Sequence, residues 1–269
     1  MAKSSHSFSH KTVWITGASA GIGKEQAIQL ASENTTIILS SRNEESLNKV
    51  AQLCQEKGAN TDVLPLDLGN PESIQSAVSH VLAKHPKLDI VFHNGGVSSR
   101  SMTYETSIEV DRKLMEINYF GAMSITKLLL PRFMEQKSGH FVVTSSIAGV
   151  FGFPLRSSYS ASKHALHGYF DSLRAELVAY NIHVTIVCPG RIQTDISKNA
   201  LGKDGKATGK MDEGQKNGMA VEKCVKQILK ATKKKKKEIY VGNEEILMVY
   251  FKRYLPSIYY YLAARVKPN

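Results

Sequence analysis

Apolar residues along the chain fall into short runs separated by longer stretches of mixed character. Seven runs read as strands: KTVWIT (11–16), TTIILSS (35–41), TDVLPL (61–66), LDIVFH (88–93), GHFVVTS (139–145), IHVTIVC (182–188) and EIYVG (238–242). Several are apolar at nearly every position, as strands are when both faces of a parallel sheet are covered. Between them, residues 21–32, 43–57, 71–84, 106–135, 157–179 and 219–232 carry helical patterning. Asn70 before Pro71 supplies an N-cap and a first-turn proline to the third of these helices. The alternation predicts an α/β fold, a doubly wound, seven-stranded parallel sheet with helices on both faces. No internal repeat or linker divides residues 1–269, so one domain is expected.

Two segments break the rhythm. Residues 195–218 are rich in Gly, Lys and Asp and predict a mobile, lid-like segment over a site. Residues 243–269 predict an amphipathic helical extension, with Leu247, Phe251 and Leu255 beside Tyr254, Ile258 and Tyr261, bent at Pro256. This stripe is expected to pack on its own domain or on a sister subunit. Lys252, Arg253 and Arg265 leave peripheral contact with an anionic membrane open as the alternative.

Composition narrows the setting. The chain is 42% hydrophobic and 22% charged, an ordinary globular balance, and 269 residues can bury a sizeable core. Cys54, Cys188 and Cys224 are odd in number and widely spaced, which suits a reducing compartment and neither a disulfide framework nor a zinc motif. The start, MAKSSHSFSHK, is polar and unlike a signal peptide, and no run has about 18 consecutive apolar residues. A cytoplasmic location is expected. Net charge is +11, and Lys233 to Lys237 form one run. No aromatic residues interleave with that run, so it reads as a solvated turn, with no nucleic-acid partner expected.

Candidate chemistry begins at TGASAGIG (16–23), between the first strand and first helix. Gly17 permits a sharp turn, and Gly21 and Gly23 let backbone amides and a helix N-terminus approach a pyrophosphate; a plain turn is the alternative. After the second strand comes Ser40-Ser41-Arg42-Asn43, with no carboxylate before Glu44. Arg42 offers planar donors to a 2′-phosphate, which favours NADP, with NAD still possible. The alternative is a solvated arginine at a helix start. In SSYSASKHA (157–165), Tyr159 and Lys163 are four apart and share a helical face. Such a pair is either an ordinary surface pair or an ammonium placed beside a phenol.

In chain order, the glycine loop, LDL (66–68), HNGG (93–96), INYFG (117–121), VVTSSIAG (142–149), YSASK (159–163) and CPGRIQT (188–194) resemble the short-chain dehydrogenase/reductase family over about residues 11–242. The lysine-rich text downstream resembles the subgroup of dehydrogenase/reductase members 7 and 7B. The resemblance implies a Rossmann fold and an NADP-dependent oxidoreductase interconverting a small-molecule carbonyl and alcohol, as a homodimer or homotetramer. It implies a catalytic set of Asn118, Ser146, Tyr159 and Lys163. It also implies cofactor contacts from Gly17, Ser19, Ala20, Gly21, Ile22, Gly23, Arg42, Asp67, Leu68, Asn94, Gly95, Gly96, Tyr159, Lys163, Pro189, Gly190, Ile192 and Thr194. One departure stands out: the family usually reads NNAG where this chain reads HNGG, so His93 and Gly95 replace Asn and Ala, and Gly95 is expected to loosen the loop.

An unperturbed tyrosine has a pKa of about 10; Lys163 is expected to lower that of Tyr159 towards neutrality, making it an acid in reduction and a base in oxidation. By the resemblance, Lys163 also bonds the nicotinamide ribose, Ser146 holds the substrate oxygen, and Asn118 holds a water that relays protons. Substrate contacts are expected from Ser98–Arg100, Val150–Arg156, Arg191 and the lid-like segment, with Phe151, Phe153, Leu155, Met211 and Met219 suggesting an apolar pocket. Two alternatives stay open: a 3-oxoacyl-thioester reductase, and a non-catalytic NADP-binding regulator or scaffold. No metal is expected, because His164 and His167 lack an obvious third partner. Cys188 reads as a buried structural thiol.

Overall fold

In the computed structural model, which describes residues 8–265, all seven expected strands form. The order along the chain is β1 (Thr12–Thr16), α1 (Gly21–Leu30), β2 (Thr36–Ser40), α2 (Glu44–Gln55), β3 (Asn60–Val63), α3 (Pro71–Lys84), β4 (Ile90–His93), α4 (Ile108–Met115), a π-helical turn (Glu116–Phe120), α5 (Gly121–Gln136), β5 (Gly139–Thr144), α6 (Ser157–Glu176), β6 (Ile182–Pro189), α7 (Glu213–Lys216), α8 (Val221–Lys233), β7 (Glu238–Val241), α9 (Leu247–Tyr254) and α10 (Pro256–Ala263). The strands make one all-parallel sheet in the order β3-β2-β1-β4-β5-β6-β7. Strand order reverses between β1 and β4, where Thr16 pairs with His93. The loops after these two strands diverge and leave a crevice at the carboxyl end of the sheet.

The near-continuous apolar strands follow from coverage on both faces. Trp14, Val91, Phe141 and Val143 meet α3, α5 and α6 in one core. Their neighbours Val13, Ile15, Phe92 and Val142 meet α1, α2 and α8 in the other. Successive side chains point to opposite faces, so each strand feeds both cores. Full burial of one such large side chain stabilises the fold by about 1.5–3 kcal/mol. Trp14 also donates from Nε1 to Ser40 Oγ at 2.9 Å, joining β1 to β2 inside the core.

Three expectations change in detail. The strand expected to reach residue 66 ends at Val63, because Pro65 has no N–H to donate, although Leu64 and Leu66 still donate to Leu39 O and Ser41 O. The helix expected over 106–135 is not uniform. A π turn interrupts it, with Gly121 N–H reaching back to Glu116 O, and Asn118 sits in that turn. The 195–218 segment is tied down by paired backbone. Leu201 N donates to Ser98 O and Arg100 N to Leu201 O, while Thr208 and Gly209 close a small hairpin on Ala200 and Lys198.

Lys233, which ends α8, and Lys234 to Lys237, in the turn before β7, are all exposed, as their composition predicts. The C-terminal segment bends at Pro256, where Leu255 leaves helical geometry. Its buried anchors are Val249 and Tyr259, which pack on Phe151, and Tyr259 donates to Gly152 O at 2.6 Å. Phe251 packs with these anchors as expected, but the rest of the stripe faces outward: Leu247, Tyr254, Leu255, Ile258 and Tyr261 are exposed. The break at Pro256 resets the helical phase, so a periodicity counted across it does not describe one face. Residues 1–7 of the polar start and residues 266–269 of the extension lie outside the described residues.

Candidate active site

The loop after β1 carries the turn into α1 with Gly17 at φ +67°. A Cβ on Gly17 would stand 2.8 Å from both Cα and N of Gly95, so the loops after β1 and β4 approach closer than any side chain allows. The N-cap of α1, Ala20, supplies no side-chain partner, and the first turn holds no acidic residue. Its amide dipoles therefore face the crevice unopposed.

A cavity of about 540 Å³ extends from this point, within the range of small-molecule sites. Its walls include Gly17, Ser19, Ala20, Gly21, Ile22 and Gly23 at one end. Arg42, Asp67 and Leu68 follow, then Asn94, Gly95 and Gly96. Ser146, Tyr159, Lys163, Pro189, Gly190, Ile192 and Thr194 complete the set. Every residue expected to touch the cofactor is thus brought to one space. Arg42 is exposed at its rim, beside Asn43, which caps α2 by accepting from Ser46 N at 2.8 Å.

Tyr159 and Lys163 lie one turn apart on α6 and both are buried. Lys163 Nζ is 5.9 Å from the Tyr159 ring centroid and donates to Thr144 O at 2.8 Å. Burial pulls the Lys163 ammonium down to about 8, with Cys188 opposing the shift. The expected lowering of Tyr159 is not what the structure gives. Burial pushes its phenol above the usual value, and this outweighs the opposing Arg156 charge and the hydrogen bond with Ser146. Arg156, at 6.0 Å from the ring centroid, is the cation that acts on the phenol. Desolvation wins because Tyr159 has only 6% of its surface exposed.

Ser146 caps a short turn by accepting from Ala148 N at 3.1 Å, and donates to Pro189 O at 3.3 Å. Capping and facing Tyr159 coexist in one hydroxyl. Asn118 stands behind the cavity wall. Its Oδ1 accepts from Val97 N at 2.8 Å, and its Nδ2 donates to Val97 O at 2.9 Å and Ser162 Oγ at 3.0 Å. Both amide hydrogens are therefore used, and the side chain clamps the loop after β4. A Cβ on Gly96 would stand 2.9 Å from Asn118 Oδ1 and 3.5 Å from Lys163 Nζ, so this glycine leaves room for both the clamp and the lysine.

The departure at HNGG is accommodated. His93 is buried, stacks on Phe141 and shares a 2.9 Å hydrogen bond with Thr126 Oγ1, which makes it a core residue. Gly95 does not loosen the loop, because Leu68 Cδ1 lies 2.3 Å from where an alanine Cβ would be and fills that space. Asn94 is held by Gln26 and by Thr144, whose hydroxyl donates to Asn94 Oδ1 at 2.5 Å.

The apolar pocket expected from Phe151, Phe153, Leu155, Met211 and Met219 does not form. Phe151 and Phe153 pack under the C-terminal helices, and Met219 packs with the core of α1 and α8. Met211 accepts from Ser197 Oγ. Val97, Ile196, Leu201 and Ala207 supply apolar lining in their place, with Ser98, Lys113, Arg156 and Asn199 as polar neighbours.

Two supporting residues escaped the sequence reading. Glu245 accepts from Arg191 N at 2.7 Å, and Gln215 donates to Ile192 O. Together they brace the loop after β6. Neither belongs to a motif, and each acts across a long sequence separation. Asp212 pairs with both Arg100 and Arg156, joining the 195–218 segment to the mouth of the cavity.

The short chain dehydrogenase family matches residues 11–204. The chain is 40% identical over 260 residues to the dehydrogenase/reductase SDR family protein 7-like of Drosophila melanogaster, covering 95% of this chain and 80% of that one. It is 39% identical to the human dehydrogenase/reductase SDR family member 7, covering 91% and 74%. Member 7B of Xenopus tropicalis is 38% identical, covering 95% and 85%. A Burkholderia phymatum short-chain dehydrogenase/reductase solved with NAD superposes with a TM-score of 0.84 at 20% identity, over 94% of this chain and 96% of that one. A metagenomic short-chain oxidoreductase solved with NADP gives 0.66 at 28% identity, over 68% and 83%. This chain belongs to the short-chain dehydrogenase/reductase family and is an oxidoreductase of it. Within that family it is similar to the member 7 and 7B proteins.

Proposed function

We propose that the protein interconverts a carbonyl and an alcohol by hydride transfer with NADP, using Tyr159 as the proton carrier. The observation that carries this reading is one cavity with an uncapped helix N-terminus and glycine turn at one end and Tyr159, Ser146 and Lys163 at the other. Two structural relatives were solved with NAD and with NADP, which supports a nicotinamide cofactor. The glycine turn, whose close approach a Cβ would block, fits a pyrophosphate. Arg42 at the rim, with no carboxylate beside it before Glu44, supports the choice of NADP.

When bound, a reduced nicotinamide supplies the hydride. Tyr159 is protonated throughout the neutral range, because burial raises its pKa, and its hydroxyl gives the proton to the substrate oxygen. Ser146 turns its hydroxyl hydrogen from Pro189 O to that oxygen and stabilises its developing charge. Arg156 favours the phenolate left behind, and Lys163 would hold the ribose of the bound cofactor. Asn118 positions the loop after β4. The 195–218 segment serves as a lid, and Val97, Ile196, Leu201 and Ala207 favour an apolar substrate body. The outward stripe on α9 and α10 supports assembly into a homodimer or homotetramer, or contact with a membrane surface from the cytoplasm.

Turnover of NADPH with a panel of ketones, aldehydes and 3-oxoacyl thioesters tests the reading. Tyr159→Phe is expected to lose carbonyl reduction by about 10²–10⁴-fold while still binding NADPH. Reduction by that variant at the wild-type rate would refute the mechanism. NADPH binding without turnover of any carbonyl would favour a regulator or scaffold.

A further inference from the structure

Beside the catalytic helix, three side chains that are distant in sequence converge. His167 of α6, Cys188 of β6 and Glu238 of β7 each offer one ligand atom, and the three atoms lie within 4.8 Å of one another. Cys188 Sγ is 3.6 Å from His167 Nε2 and 3.7 Å from Glu238 Oε1. His167 Nδ1 is 3.7 Å from that same carboxylate oxygen. Around a tetrahedral zinc ion with bonds of about 2.0–2.3 Å, neighbouring ligand atoms stand about 3.4–3.6 Å apart. With His167 Nδ1 as the imidazole ligand, the Nδ1–Oε1 and Sγ–Oε1 spacings of 3.7 Å are close to that geometry, and closing the cluster from within 4.8 Å brings Nδ1 and Sγ onto the ion.

Surrounding hydrogen bonds aim the donors inward. Ser145 Oγ gives its hydrogen to Lys163 O at 3.2 Å, so His167 Nε2, 2.9 Å from the same hydroxyl, carries the hydrogen of that bond. The lone pair of the neutral ring is then on Nδ1, facing Glu238. Tyr240 donates to Glu238 Oε1 at 3.0 Å and orients the carboxylate. Partners of this kind, a hydroxyl on the far ring nitrogen and a donor on the carboxylate, orient ligands in metal sites. Asp171, further along α6, adds negative potential at both His167 and Cys188. Cys188 is fully buried, whereas the Glu238 side chain is 37% exposed and that of His167 17%. A cation can therefore enter from the surface between α6 and β7, and water can complete the fourth position.

We propose that His167, Cys188 and Glu238 form a site for a zinc-class divalent cation, outside the cofactor cavity. One thiolate, one imidazole and one carboxylate select such an ion over magnesium or calcium, which take oxygen ligands. On binding, Cys188 releases its thiol proton to solvent and forms the metal–sulfur bond as thiolate. The bound ion ties α6, β6 and β7 together. It sits behind two segments of the cavity wall, since Ser145 precedes Ser146, and Cys188 precedes Pro189.

The test uses the full chain, stripped with chelator and titrated with Co²⁺ and Zn²⁺ at neutral pH. Co²⁺ is expected to bind at one equivalent with a thiolate charge-transfer band and release of a proton from the chain, and Zn²⁺ to displace it with no further proton release. Cys188→Ser should abolish the band, while Cys54→Ala and Cys224→Ala should keep it. His167→Gln and Glu238→Gln should each weaken Zn²⁺ binding at least tenfold, and these two decide the matter if Cys188→Ser does not fold. Absence of the band in the wild-type chain, its survival in Cys188→Ser, or unchanged affinity in both His167→Gln and Glu238→Gln would overturn the site.

Discussion

Two histidines sit where a proton is costly, and acid should therefore unfold this protein earlier than its carboxylates alone require. Burial lowers His93 to about 3. It lowers His140 to about 3 as well, with help from His183 and Lys235. In the unfolded chain each returns to about 6.5. Between these values the unfolded state binds a proton that the folded state refuses, so stability falls as pH falls from 6.5 towards 3. From pH 7 to pH 5 the loss is ~2 kcal/mol per histidine, ~4 kcal/mol for both, against a typical total of 5–15 kcal/mol. His167 and His183, also lowered chiefly by burial, add in the same direction. Urea unfolding followed by circular dichroism at pH 7 and pH 5 reads the difference directly. His93→Asn and His140→Asn should each cost stability at pH 7 yet remove ~2 kcal/mol of the difference between the two pH values. Equal stability at the two pH values, or an undiminished difference in the double variant, would refute the reasoning.

Other outcomes follow from single contacts. Arg42→Ala should weaken NADPH binding by about 10–100-fold, the worth of a charge-assisted hydrogen bond or two, and leave NADH binding unchanged; equal losses in a fluorescence titration would reject Arg42 as the phosphate reader. Gly96→Ala places a Cβ 2.9 Å from Asn118 Oδ1, and displacing that clamp should lower kcat at a stability cost of about 1–3 kcal/mol. Asp62→Asn should cost about 1.5–3 kcal/mol in urea unfolding, because Asp62 accepts from Lys84 at 2.7 Å and pairs with His85 at 2.9 Å and His80 at 3.1 Å. Burial opposes the Asp62 charge, yet these bonds hold its carboxyl below the usual range, so their contribution is present at neutral pH and is lost as pH falls through that lowered value.

The fold was legible because both-face burial leaves a mark on every strand. Trp14 and Ile15 are adjacent in sequence, point into different cores and are both fully buried, so β1 has no polar side to interrupt its run. The cofactor end was legible for a related reason. Gly17 must be glycine where two backbones approach, and such a constraint is local enough to show as a motif. Less of the substrate end was legible. Phe151 and Phe153 have the right chemistry for a pocket wall, but Tyr259, more than a hundred residues later, covers Phe151. The clamp that Asn118 makes leaves no local pattern for the same kind of reason: the partner of its amide, the backbone of Val97, lies on another element.

By itself, then, the sequence determined the seven-stranded doubly wound sheet, the glycine turn after β1 and the helical pairing of Tyr159 with Lys163. Each of these depends on residues close in the chain, through periodicity, φ preference or a one-turn spacing. Tertiary structure decided the electrostatics and the enclosure. It raised Tyr159 by burying it, against the opposing charge of Arg156. It tied the 195–218 segment to Ser98, Arg100 and Arg156. It turned the C-terminal stripe outward, and it gathered His167, Cys188 and Glu238 around one point. Desolvation and long-range contact are properties of what surrounds a group in space, and strand order sets those surroundings without leaving a local pattern in the chain.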